Sequence, residues 1–113
     1  MATEYRAELS NCGVSAQKAR LVVDLVRGKK AVESLNVLKF MPQVAARHLH
    51  KLLHSAVSNA EENFGVSRED LFIHKIFADE APTRKWRRFG ARGRFKPILR
   101  RNSHIVVVLR EKE

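Results

Sequence analysis

The sequence predicts an α+β fold: three helices packed on a small antiparallel sheet, with a long β-hairpin protruding from it. Three observations carry this prediction. Apolar residues recur at helical spacing over three consecutive segments in the first half of the chain, with a Gly or Pro at each break. Two β-rich runs, Leu71–Phe77 and Ser103–Leu109, follow in the second half. Between these runs, Thr83 to Arg101 holds nine of the chain's 22 basic residues and no acid, leaving thirteen basic residues against twelve acidic elsewhere. The net charge of +10 is therefore almost entirely local.

At 113 residues, 44% hydrophobic and 30% charged, the chain suits one folded domain spanning 1–113, with the basic hairpin over about 78–104. Tyr5, Ala7 and Leu9 alternate with Arg6 and Glu8, as a strand joining the hairpin in a sheet requires. Ser15 is a good N-cap for a helix from about Ala16 to Arg27, with Ala19, Val22, Val23 and Val26 on one face and Gly28 as its left-handed C-terminal cap. A short helix over Ala31–Phe40 carries Ala31, Leu35 and Leu38, and Pro42 stops it. Ala45, Leu49, Leu52, Leu53, Ala56, Val57, Ala60 and Phe64 then form the apolar stripe of a long helix from about Gln43 to Asn63, ended by Gly65. Val66 to Asp70 reads as a polar connection into the hairpin.

The basic stretch has two readings, an arm formed by the outer half of the hairpin and a loop that orders only on binding. Trp86, Phe89 and Phe95 interleave with the arginines, which suits stacking on bases, and Gly90 and Gly93 permit a reversal. Concentrated cationic charge attracts a polyanion through Coulomb forces and counterion release. Lys18, Arg20, Arg27, Lys29 and Lys30 form a second basic group around the first helix, although scattered surface cations are ordinary.

Catalytic and metal readings are weak. His50 and His54 share a helical face with His48 nearby, but no Cys, Asp or Glu within the helix stands close enough to complete a tetrahedral set. His104 has no acid spaced for a nucleophilic relay, and Gly90 and Gly93 lack the Gly-Lys-Ser/Thr ending of a phosphate loop. Adjacent Asp79 and Glu80 on a strand would point to opposite faces, which favours anchoring arginines or cations over acid–base work. No cofactor and no catalytic residue is expected. The polar N-terminus and the absence of a long apolar run argue against a membrane, and the lone Cys12 suits a reducing, cytoplasmic compartment. An architectural DNA-binding protein with a minor-groove arm is the alternative class, but such proteins act as dimers and the chain shows no dimer seam, so no homo-oligomer is expected.

Ser15–Lys29, Ser55–Glu61, Ala91–Arg94 and Ser103–Val108 resemble, in order and spacing, the bacterial form of the universal large-subunit ribosomal protein family number twenty-two. No single one of these motifs is diagnostic, but the four in register make the match specific. The resemblance implies a structural protein of the cytoplasmic ribosome, with large-subunit ribosomal RNA and neighbouring ribosomal proteins as partners. It further implies that the hairpin tip lines the nascent-peptide exit tunnel and meets the nascent peptide. Carried over by position, Lys18, Arg20, Arg27, Lys29 and Lys30 contact RNA from the body, and Lys85, Arg92, Arg94, Arg100 and Arg101 from the hairpin. Arg84, Lys85, Trp86, Arg87, Arg88 and Phe89 fall at or near the tip. The departures from the family pattern gather there: Ala81-Pro82 replaces Gly-Pro, Phe89-Gly90-Ala91 replaces Pro-Arg-Ala, Phe95 replaces Ala, and Trp86 stands where a basic residue is common.

Overall fold

A computed structural model describes residues 3–89, 93 and 95–111; within the outer arm, 84–89 and 95–100, it describes the backbone alone. The elements are β1 (Glu4–Leu9), α1 (Ala16–Val26), α2 (Ala31–Lys39), α3 (Val44–Phe64), a single 3-10 turn (Arg68–Asp70), β2 (Leu71–Phe89) and β3 (Phe95–Glu111). The sheet is antiparallel in the order β1-β3-β2, so β3 is central and β2 is an edge.

Each helix follows from its local chemistry. The Ser15 side chain accepts from the Lys18 amide at 3.4 Å and caps α1, whose Ala19, Val22, Val23 and Val26 are buried. In α2 the buried Ser34 hydroxyl donates back to the Lys30 carbonyl at 2.9 Å, and the helix ends three residues before Pro42. α3 buries every position of its stripe from Ala45 to Ala60. Phe64 departs from the expected pattern. It is 61% exposed and presents its ring edge to Tyr5 at 5.0 Å, because the helix runs past the end of the core at that point. Gly65 adopts φ +67, and the amides of Gly65 and Val66 return to the carbonyls of Glu61 and Ala60.

Gly28 takes the left-handed φ, +78, that its position predicts, but its amide does not close the helix. Arg27 already leaves the helix with extended geometry, and the Gly28 amide donates to the Ile73 carbonyl of β2 at 3.2 Å instead. The competing partner is a strand edge, which the sequence alone could not place.

The three helices cover one face of the sheet, α3 lying over the β1 side and α1 over the β2 side. Between the layers, Leu49, Leu53, Val57, Ile73, Val107 and Leu109 are fully buried. Burial continues along the hairpin as far as Ala81 and Ser103. Beyond them the β2–β3 ladder runs on to the rung Phe89↔Phe95. Seven steps along β3 from Asn102 to Phe95, at about 3.3 Å each, make an arm of roughly 23 Å. The molecule is accordingly 64 Å long but only 26 × 20 Å in section, with a radius of gyration of 17.1 Å against about 13 Å for a compact chain of this length.

Candidate nucleic-acid interface

An edge strand presents unpaired carbonyls and amides that invite unwanted pairing. The outer edge of β2 is instead covered by basic residues of α1 and the turn after it. Nearest the base, Ile73 exchanges backbone hydrogen bonds with this turn, receiving from Gly28 at 3.2 Å and donating to the Lys29 carbonyl at 2.9 Å, and Lys30 forms a bridge with Phe72. Farther along, Arg27 Nη2 donates to the Ile76 carbonyl at 3.0 Å. Two residues beyond that, Arg20 Nε donates to the Ala78 carbonyl at 3.0 Å. The four residues Lys30, Lys29, Arg27 and Arg20 thus follow the β2 edge towards the arm, the lysines through their backbone and the arginines through their side chains. All four residues are exposed, as is Lys18 one half-turn before Arg20.

These charges are poorly neutralised. Among the described residues the ion pairs are Arg6–Glu8, Arg27–Asp24, Arg68–Glu61 and Arg110–Glu4. Lys18, Arg20, Lys29 and Lys30 take part in none of them. Arg27 is shared between Asp24, at 2.8 Å, and the Ile76 carbonyl. Such a row can hold phosphate oxygens with the N–H groups that the strand edge leaves over.

The arm continues the row. Its ladder pairs Arg84 with Arg100, Lys85 with Leu99, Trp86 with Ile98, Arg87 with Pro97 and Arg88 with Lys96. The chain reverses beyond Phe89, so Arg84 lies five rungs, about 17 Å, back from the last rung, and Phe89 is the tip candidate closest to the reversal. Arg101 is exposed where the arm meets the body. Gly93 has φ +72, which a glycine tolerates; Arg92, Arg94 and Gly90 lie outside the described residues.

At the arm's root, Cys12 and Ser103 meet in the interior. The Ser103 hydroxyl donates to the Val14 carbonyl at 2.8 Å and lies 3.0 Å from Cys12 Sγ, while the Cys12 amide donates to the Ser103 carbonyl at 3.0 Å. Beside them His104 Nδ1 accepts from the Asn11 amide at 3.1 Å. Asp79 and Glu80 face His104 and Ser103 across the ladder, both exposed and without an ion pair to any described residue. His50 and His54 stack at 6.4 Å, and no group of three metal-ligating side chains occurs among the described residues.

Sequence reasoning missed the edge-covering role of Arg20 and Arg27. The available signal was their spacing of seven, next to buried Ala19 and Val26, which places both on the flank of the buried stripe.

Residues 7–110 match the family described as Ribosomal protein L22p/L17e. The chain belongs to this family. Over 111 residues it is 48% identical to the Large ribosomal subunit protein uL22 of Pediococcus pentosaceus, with 98% of this chain and 94% of that protein covered. The L22p/L17e proteins are structural components and not enzymes. No helix among the described residues is long and apolar enough to cross a membrane.

Proposed function

We propose that the chain binds and cross-links large-subunit ribosomal RNA, with its arm inserted into the RNA and the arm's tip at the wall of the nascent-peptide exit tunnel. As a member of the L22p/L17e family it is a structural constituent of the large ribosomal subunit, working in the cytoplasm beside ribosomal RNA and other ribosomal proteins. The observation that carries the finer reading is the row of basic residues along the β2 edge, which runs into an arm of nine basic residues without an acid. An arm roughly 23 Å long suits penetration better than contact at a surface. On this reading Arg92, Arg94, Arg100, Arg101 and Lys85 hold phosphates along the arm, and Trp86 and Phe89 offer rings to bases or to a passing peptide.

Binding to a transcript of bacterial large-subunit ribosomal RNA, measured across salt concentrations, tests the RNA reading. Replacing Arg92, Arg94 and Arg101 together by Gln should flatten the log–log salt slope by about 2–3 units. An unchanged slope would remove the arm as the main contact. A photoreactive group at residue 86 in assembled ribosomes tests the tunnel reading, which falls if only RNA remote from the tunnel is labelled.

A further inference from the structure

The two edges of the sheet differ. The outer edge of β2 is closed by the chain itself, through the backbone of Gly28, Lys29 and Lys30 and the side chains of Arg27 and Arg20. On the opposite edge, β1 bonds through its backbone to β3 alone among the described residues. Its ladder runs without a slip from Glu4↔Arg110 to Leu9↔Ile105, so every second residue turns its amide and carbonyl outwards, unpaired. Pro and bulges, which close many open edges, are missing from β1, and its exposed charges alternate in sign along Glu4, Arg6 and Glu8. Six residues at about 3.3 Å each give an open edge of roughly 20 Å, the length of an ordinary strand.

Charge and shape say what this edge accepts. In a chain of net charge +10, β1 carries two acids and one base, which disfavours phosphates. Glu4 is held by Arg110, whereas Glu8 meets Arg6 only at 3.6 Å and stays open to a further cation. A row of phosphates also offers acceptors alone, so it would leave the outward carbonyls unmet, while an extended peptide supplies donors and acceptors in alternation. At the same edge the Phe64 ring, which the body leaves largely uncovered, stands against Tyr5 and forms an apolar ledge. We propose that the outer edge of β1 takes a fourth strand from a neighbouring protein of the large subunit. The incoming segment is extended, with a Lys or Arg opposite Glu8 on the open face of the sheet and an apolar side chain over Phe64 on the helix side. The proposal goes beyond the RNA-binding reading and uses none of its residues; it rests on family membership and on the open edge.

The test starts from assembled large subunits in which Glu8 is replaced by the photoreactive residue p-benzoylphenylalanine. Irradiation should label one stretch of one neighbouring protein, located by mass spectrometry of the linked peptides. A synthetic peptide of that stretch, added to the full chain, should slow amide hydrogen exchange at alternate residues of β1, as a strand added along one edge requires. Glu8→Lys should weaken binding of this peptide about threefold without lowering the melting temperature, and a peptide carrying Glu in place of the opposed basic residue should recover the loss. Label on RNA alone would assign the edge to RNA and overturn the proposal. Label on no neighbouring chain overturns it too, as does a labelled stretch whose peptide leaves β1 exchange unchanged or slows it uniformly. None of these outcomes alters the salt slope of the arm, on which the RNA-binding reading stands or falls separately.

Discussion

The guanidinium of Arg20 and the carbonyl of Ala78, 58 residues apart in sequence, are joined by a hydrogen bond of 3.0 Å that fastens α1 to the outer edge of β2. A charged donor on a partly buried carbonyl contributes to stability as well as to surface potential. Arg20→Gln should therefore cost about 1 kcal/mol in denaturant unfolding, while Lys18→Gln, on the solvent side of the same helix, should stay within about 0.5 kcal/mol. Equal costs would show that the edge contact carries no stabilising weight.

Ser103 is fully buried, and its hydroxyl donates the shorter of two hydrogen bonds to the Val14 carbonyl, the other coming from Cys12 Sγ. Ser103→Ala leaves that carbonyl and Cys12 Sγ without this partner. The expected loss is about 1–2 kcal/mol, read as a lower urea midpoint at constant m-value. Cys12→Ala, which keeps the hydroxyl bond to Val14, should cost less.

Among the residues whose side chains are described, the last buried ones along the hairpin are Ala81 and Ser103, and Pro82, Thr83 and Arg101 beyond them are exposed. Replacing residues 82–101 by Asn-Gly joins the rung Ala81↔Asn102 through a two-residue turn of the type that antiparallel strands favour. Cooperative unfolding should persist, with the melting temperature within a few degrees of the parent. A broad, uncooperative transition would mean that the arm belongs to the folding unit.

Arg110 donates from Nε and Nη2 to one oxygen of Glu4, and this hydrogen bond, aided by the charges of Arg110, Lys75 and His74, holds the Glu4 carboxyl below the usual carboxylate range. A group whose folded pKa is depressed contributes stability above its unfolded pKa and loses it as pH falls through the folded value. Between about pH 6 and pH 3 the parent should lose slightly more stability than Glu4→Gln. Parallel acid-unfolding curves would exclude the contribution.

The parts legible in the sequence are those fixed by local spacing. The stripe from Ala45 to Ala60, the Ser15 cap and the turn at Gly65 each depend on neighbours within one or two turns. The hairpin was legible because two β-rich runs enclose a stretch too long to be an idle loop. The roles of Arg20, Arg27 and Gly28 were not, because each depends on the edge of a strand about fifty residues away. The same holds for Cys12 and Ser103, whose pairing follows from where the chain before α1 crosses β3. Of the candidate RNA residues, the β2-edge group gains a shared geometric logic from the fold, while the arm residues rest on charge and register.

The ladder between β2 and β3 slips twice, between Ile73 and Lys75 and between Ala81 and Arg84, and both times the extra residue is on β2. One extra residue inverts the odd–even pattern of the β2 sequence after it while the faces stay matched to β3, and a second restores the pattern. The buried positions record the first inversion, passing from Leu71 and Ile73 to Ile76 and Ala78. The second slip, at Pro82–Thr83, returns β2 to its original phase as it leaves the body. In the language of insertions and deletions, each bulge has absorbed one extra residue without turning its neighbours, so loss of either extra residue would straighten the ladder locally and leave the residues beyond it on their present faces. A single-residue change in the length of β2 is thereby taken up where it occurs and is not passed along the arm.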